Sequence, residues 1–415
     1  MVDELGRSLL TSLGAPTGAR SHIEAYTEVV LKKGEGKHRP DGLIVVRSGG
    51  KIWSALIEAK VGNSELTNEQ VEAYLEIARL NGCNALITVS NQFASLPTHH
   101  PLQVSASSRR KVELFHWSWM YVVTQSTLLL SHDDVSDREK RILLREMNRF
   151  LLHESSGVKA FEQMPASWSD VVAKVQAGGS VAANSAEAKE VVGAWHQEVG
   201  NLSLTLSRQL ETAVKVRMPR AHATDAAARQ KEDQKALSNT SELNTELVVP
   251  DAADVIKVCA DLKKRSITAS IWLKAPDEPK TTKARVNWLL RQLQKTEPAG
   301  IYVRCFWPGK TRATLHALTA LRDNPELVAV DHESQSVVSF EVMMVRDAGA
   351  RFGQRRNFVA DLETTVPAFY NQAGQWLKAW QARAPKLRDD KTEPQEVAPK
   401  ALRDELELDA LSGDA

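Results

Sequence analysis

RPDGLIVVRSGGKIWSALIEAKV, residues 39–61, is the stretch that decides the fold. It holds two runs rich in β-branched and large apolar residues, 40–47 and 52–61, separated by Ser48-Gly49-Gly50. Glycines at that spacing between two extended runs mark a tight hairpin. A third strand-like run, residues 23–32, precedes them across the turn-rich GEGK at 34–37. Three such runs with short connections predict an antiparallel meander.

Working outward, residues 66–81 (LTNEQVEAYLEIARLN) have helical apolar spacing. Thr67 is placed to cap that helix, with Gln70 three residues on and Gly82 as the stop. Residues 85–90 (ALITVS) and 112–117 (VELFHW) read as buried strands. Helices are predicted over 119–130 and 137–153, and a short amphipathic helix over 1–13. The order βββαβ, then a strand and helices, predicts an α/β sandwich with a mixed sheet and flanking helices.

Strand parity then isolates a charged group. Side chains alternate faces along a strand, so Trp53, Ala55, Ile57 and Ala59 share one face while Glu58 and Lys60 share the other. Charges inside a strand this apolar need partners. Asp41, at the start of the neighbouring run, is the nearest candidate. Phosphodiester hydrolysis calls for this set of groups. A hard cation such as Mg²⁺ takes one or two carboxylates, which Asp41 and Glu58 supply, a backbone oxygen such as the Ala59 carbonyl, and water. A metal-bound water ionises more readily, and Lys60 is placed to orient it or to meet phosphate charge.

The sequence Pro40-Asp41 followed by Glu58-Ala59-Lys60 resembles the motif of the PD-(D/E)XK, or restriction-endonuclease-like, nucleases. The element order around it is similar to that superfamily's core over about residues 1–125. Gln70 and Tyr74 are spaced like the QxxxY element of the RecB-type and lambda-exonuclease-like members, and residues four apart share a helix face. The resemblance implies a restriction-endonuclease-like sheet, Mg²⁺ (or Mn²⁺) as cofactor, DNA as substrate, and a positioning role beside the metal for Gln70 and Tyr74. It also implies a further acid from an earlier element. Glu28 is the first choice, with Glu24 and Glu4 as the alternatives. Phage defence, mobile elements or repair is the context such proteins imply.

Composition excludes several other classes. The 415 residues are 42% hydrophobic and 25% charged, an ordinary globular balance with a formal net charge of +1. Near-neutral charge argues against wholesale coating of DNA and leaves room for one local groove. Cys83, Cys259 and Cys305 are scattered, which argues against a zinc knuckle or a disulfide scaffold. No apolar run approaches the ~20 residues of a membrane span, and residues 1–20 lack the pattern of a secretory leader. The expectation is a cytoplasmic protein without a membrane partner.

The remaining two thirds read as organisation more than chemistry. The expected layout is a nuclease region over 1–175, a linker and long helix over 176–245, a second α/β region over 246–385, and an acidic tail over 386–415. The long helix, 191–216, carries Trp195, Val199, Leu202 and Leu206 along one stripe. The second region shows strands near 254–260, 266–273, 300–307 and 337–345 and helices near 282–294, 311–322 and 358–380. Selecting substrate, forming a homo-oligomer or holding a protein partner is the role expected of it.

Lesser motifs have plain readings. Pro308-Gly309-Lys310-Thr311 lacks the first glycine of a phosphate loop, since position 304 is arginine, and is read as a turn with a capping threonine. His99-His100 reads as a surface loop. Lys263-Lys264-Arg265 reads as a basic turn between two strands, a solvated hairpin tip with phosphate contact as the sharper reading, and Arg351, Arg355 and Arg356 form a second such patch; the tryptophans read mostly as core, with Trp307, beside a basic loop, the one to test for base stacking. The rival to an enzyme is a nuclease-fold protein that only binds nucleic acid or a partner. A structural subunit of a larger complex is the third reading.

Overall fold

In the computed structural model the chain opens with helix α1 (Asp3–Thr11), and strands β1 (His22–Thr27), β2 (Gly42–Ser48) and β3 (Lys51–Ala59) follow as an antiparallel meander. The structure describes residues 2–31, 39–105, 107–278, 280–330 and 332–381, so the turn expected at 34–37 and the tail expected over 386–415 lie outside them. Ser48 pairs with Lys51, leaving Gly49-Gly50 as the whole connection. Gly49 has φ +59°, the left-handed backbone that such a two-residue turn demands and that glycine adopts without strain. β1 is shorter than the run 23–32, because Glu28 turns to φ +50° and ends the extended chain.

Helix α2 (Asn68–Leu80) carries the chain across to β4 (Ala85–Ser90), which lies parallel to β3, and β5 (Glu113–Ser118) lies parallel to β4. Thr67 caps α2, its hydroxyl accepting the Gln70 N–H at 3.2 Å. The five strands stand in sequence order, β1 to β5. β4 is buried at all six positions, as a parallel strand covered on both faces must be. One face carries Val46, Ala55, Ile87 and Phe115 and packs with α1 and with α3 (Trp119–Ser131) and α4 (Arg138–Leu151). Trp53, Ile57 and Ala59 join that core, as parity predicted. The other face carries Leu56, Leu86 and Leu114 under Val71, Tyr74 and Leu75 of α2. The first region is thus a mixed sheet between two helical layers.

Helices α5 (Ser167–Gln176) and α6 (Ala186–Leu210) lead into β6 (Lys215–Val216), α7 (Arg220–Thr224), α8 (Ala226–Thr240), β7 (Glu242–Val248), β8 (Ile256–Asp261) and β9 (Ser266–Lys274). After α9 (Thr282–Gln292) come β10 (Ile301–Phe306), β11 (Thr314–Ala317), α10 (Leu318–Asp323), β12 (Ser339–Asp347) and α11 (Arg355–Gln372). These strands make one antiparallel sheet in the order β11-β10-β12-β9-β8-β7-β6. Its inner face (Ile267, Ala269, Ile271, Phe340, Val342) packs against Trp195, Val199 and Leu202 of α6 and Phe358 and Leu362 of α11. Trp168 stacks on Phe358 at a centroid distance of 4.4 Å, tying α5 to α11. The α6 stripe is therefore core of the second sheet, while α6 also packs on α3 of the first region.

Several expectations change here. The stretch 222–244, read as linker, forms α8, which Asp225 caps by accepting the Ala227 and Ala228 N–H groups, and the start of β7. The helix over 311–322 is the edge strand β11 followed by the short α10, because residues 307–313 form a hairpin loop with Gly309 at φ +68°. The long helix ends at Leu210, six residues early, with Glu211 in the left-handed region. The helix over 358–380 starts at Arg355 and ends at Gln372. Met1–Trp380 makes one compact unit. Among the described residues no helix is long and apolar enough to cross a membrane.

Candidate active site

Glu58 sits near the C-terminal end of β3 on the face that α2 covers, and only 2% of it is exposed. Lys60 Nζ donates to its Oε1 at 2.5 Å. Its Oε2 is buried and has no hydrogen-bond partner among the described residues. A buried carboxylate oxygen without a donor is costly, and it is the atom a cation would satisfy. Lys60 is itself held by its backbone. Its N–H donates to Val89 O at 2.8 Å, and its carbonyl accepts from Trp119 Nε1 at 2.8 Å. The chain beyond is clamped too, since Gly62 N–H donates to Gly157 O at 2.9 Å.

Asp41 precedes β2 and lies opposite Glu58 in the β2–β3 register, one step beyond the Gly42–Ile57 pair. Its Oδ2 accepts the Ala59 N–H at 2.7 Å. The N–H and C=O of a strand residue leave on the same edge, so the Ala59 carbonyl also leaves toward Asp41. Tyr74 is buried on α2, and its hydroxyl donates to Arg39 O at 3.2 Å. Burial first, then the Glu58 carboxylate and Asp41, push its pKa up, so it stays a neutral donor beside two acids. Gln70 lies one turn earlier on the same helix, and its Oε1 is a second buried oxygen without a partner among the described residues. Asp41, Glu58, Ala59, Lys60 and Tyr74 are thus brought together, with Gln70 on the adjoining turn.

The third acid is not brought in. The Glu28 backbone lies beside Asp41, its N–H donating to Asp41 O at 3.0 Å, but its side chain is exposed beyond the left-handed turn. Glu24 pairs with Arg47 at 3.2 Å. Glu4 pairs with Lys140 at 3.0 Å in the layer on the other side of the sheet. Among the described residues, no group of three His, Cys, Asp or Glu side chains gathers as a metal site. The donor set that remains is two carboxylates, a carbonyl and solvent, which suits Mg²⁺, an ion that keeps several waters and takes one or two carboxylates.

The row continues across the sheet to residues the sequence reading passed over. Glu58 pairs with Thr88, and Thr88 pairs with His116. Thr88 Oγ1 lies 2.8 Å from His116 Nδ1 and 2.9 Å from His100 Nε2. His116 Nε2 lies 2.9 Å from Gln92 O, so it carries the proton and Nδ1 accepts from Thr88. Leu102 N–H donates to His100 Nδ1 at 3.1 Å, which leaves His100 Nε2 as the donor to Thr88. Burial lowers the His116 pKa to about 4, and burial together with His116 and Arg109 lowers that of His100 to about 3. Both rings are neutral. The signal was present: Thr88 and His116 interrupt apolar strands, as Glu58 does.

Lys263-Lys264-Arg265 is an exposed turn between β8 and β9, as its sequence reads. His99 and His100 are not a solvated loop: His99 is buried with Nε2 3.0 Å from Ala223 O, and His100 is locked to Thr88. Trp307 is 4% exposed and stacks on His332 at 4.1 Å, so it is closed to a base. Arg351 is spent on Asp361 and Arg355 on Met164 O, while Lys264 pairs with Asp261. Comparison of the chain with protein-family models, with curated proteins and with solved structures found no match.

Proposed function

We propose that the chain is a metal-dependent nuclease that hydrolyses DNA phosphodiester bonds at the Asp41–Glu58–Lys60 site. The observation that supports it most is Glu58 Oε2, buried and without a hydrogen-bond partner among the described residues, on a carboxylate that Lys60 pairs with and that Tyr74 lies beside. Asp41, Glu58 and the Ala59 carbonyl would hold Mg²⁺, which when bound supplies a water of lowered pKa and charge for the phosphate oxygens. Lys60 forms an ion pair with Glu58 and would present its ammonium to a scissile phosphate on the same face. Tyr74, kept protonated, holds the Arg39 carbonyl and so the approach of Pro40-Asp41.

The test is cleavage of linear duplex, plasmid and single-stranded DNA in Mg²⁺ or Mn²⁺ against EDTA. Wild type cleaves only with metal, and Glu58→Gln and Lys60→Met lose about 10²–10³-fold, the scale of removing one charge-stabilising group. Folded variants that cleave at the wild-type rate would sink the assignment. The rival reading, a nuclease-fold module that binds without turnover, draws on the lack, among the described residues, of a third acid beside Asp41 and Glu58. Wild-type protein that binds DNA yet releases no product in either metal would select it.

A further inference from the structure

The outer face of the seven-stranded sheet carries chemistry that nothing above uses. An antiparallel sheet with one open face ordinarily presents polar side chains there. The inner residues Ile301, Val303 and Cys305 of β10 are in the core, so Tyr302, Arg304 and Phe306 face outward, each partly exposed. On β12 the outward residue facing Arg304 is Glu341, and on β9 the next is Trp272, 37% exposed. Arg304 Nη1 donates to Glu341 Oε2 at 2.9 Å, and Glu341 Oε1 accepts from Ser270 at 2.9 Å, so the guanidinium is tied across to β12. Tyr302 and Phe306 each stand two residues from Arg304, about 7 Å along the strand, and Trp272 stands about 10 Å across it.

The charge around these aromatics is asymmetric. The loop that follows Phe306 presents Lys310 and Arg312, both exposed, and Lys257 is exposed on the outward row with Ser270. Of the outward acids, Glu341 pairs with Arg304 and Asp261 with Lys264, Asp347 ends β12, and Glu242 and Glu246 lie on β7, where Glu246 faces Lys257. The helices that touch the sheet contribute to the single core on its inner face. Among the described residues Tyr302, Phe306 and Trp272 are therefore partly exposed, with Lys310 and Arg312 beyond Phe306, while Met343 and Ser270 beside them are buried. Partly exposed rings on one face with cations at one border suit the bases and phosphates of an unpaired strand, whereas a duplex hides its base faces.

We propose that this face binds single-stranded nucleic acid, with Tyr302, Phe306 and Trp272 stacking on bases and Lys310 and Arg312 meeting phosphates. The surface supplies strand selection to a chain whose cleavage site lies on the other sheet. In that respect it deepens the nuclease reading, yet it stands as a binding surface without it.

The experiment is fluorescence anisotropy of a labelled 20-nucleotide oligo-dT with the full chain in EDTA, where cleavage does not contribute. Wild type binds it more tightly than the matching duplex. Phe306→Ala and Tyr302→Ala each weaken binding by about 10-fold or more, and Tyr302→Phe keeps it. The double variant Lys310→Gln, Arg312→Gln lowers the slope of log affinity against log salt by about 1.4, at about 0.7 per lost phosphate contact. Thermal melts confirm that each variant is folded. Equal affinity for duplex and single strand, or aromatic variants that bind as wild type, overturns the proposal. So does a wild-type dimer in sedimentation that Tyr302→Ala splits, because a second copy would then cover the face. Cleavage is read separately with Mg²⁺, so failure of either reading is visible on its own.

Discussion

Replacing His100 and His116 together by glutamine should flatten the acid arm of the chain's stability curve by about 4 kcal/mol between pH 7.5 and pH 5. Both rings are neutral donors and acceptors in a closed chain through Thr88, with folded pKa values near 3 and 4 against 6.5 for a free histidine. A base whose folded pKa is depressed gives full stability above its unfolded pKa and loses it as pH falls toward the folded value. At pH 5 the unfolded chain has taken up both protons and the folded chain neither. Each histidine then costs about 1.5 × 1.36, or about 2 kcal/mol. Other groups titrate in the same window, so the quantity to measure is the difference in pH dependence between wild type and the double variant, from urea unfolding at several pH values. Curves that run parallel would refute the neutral, interlocked pair. Both proteins should share the same m-value, so that the comparison concerns one transition.

Two other tests probe the frame. Glu198 on α6 is fully buried near Glu363, and burial, then that neighbour's charge, raises its pKa well above the carboxylate range. An acid with a raised folded pKa costs stability as pH rises through the unfolded value, so Glu198→Gln should stabilise the chain at pH 8 by about 1 kcal/mol or more, with the gain shrinking toward pH 4.5; a pH-independent effect would contradict this. Gly157 and Gly178 both have left-handed backbones, φ +74° and +81°. A methyl on Gly178 meets open space, whereas one on Gly157 lands 2.8 Å from Gly62 N. Gly178→Ala should cost about 1–2 kcal/mol from the backbone alone. Gly157→Ala should cost more and also disturb cleavage, because Gly62 follows Lys60 by two residues. Equal costs in thermal melts would show that the clamp is slack.

Much of the first sheet was legible because its signals are local. Gly49-Gly50, the alternation through residues 52–61 and the Thr67 cap each act within a few residues. The same locality explains the polar group at Asp41, Glu58 and Lys60, set by strand parity and one hairpin register. What was not legible depends on distant packing. His100 reads as loop until β4, β5 and Leu102 close on it. Trp307 reads as exposed until His332 covers it. β7 has Leu243, Thr245 and Leu247 in alternation, but the polar Asn244 and Glu246 between them look like linker. The Glu28 backbone lies beside Asp41, but its turn to positive φ, which leaves the side chain exposed, has no mark in sequence. β11 was missed because an edge strand of four residues has too little burial to impose a pattern.

Helix α6 has a consequence for how the chain can be divided. One stretch of its surface is core to the antiparallel sheet, while it also packs on α3 of the mixed sheet. Cutting the chain before residue 186 would strip α3 of a neighbour and leave Trp168 and Val172 without Trp195 and Val199. The two sheets are in this sense a single fabric with one shared thread. If the proposed cleavage site and strand-binding face are both real, they share this helix, and side-chain changes rather than a cut in the chain would separate them.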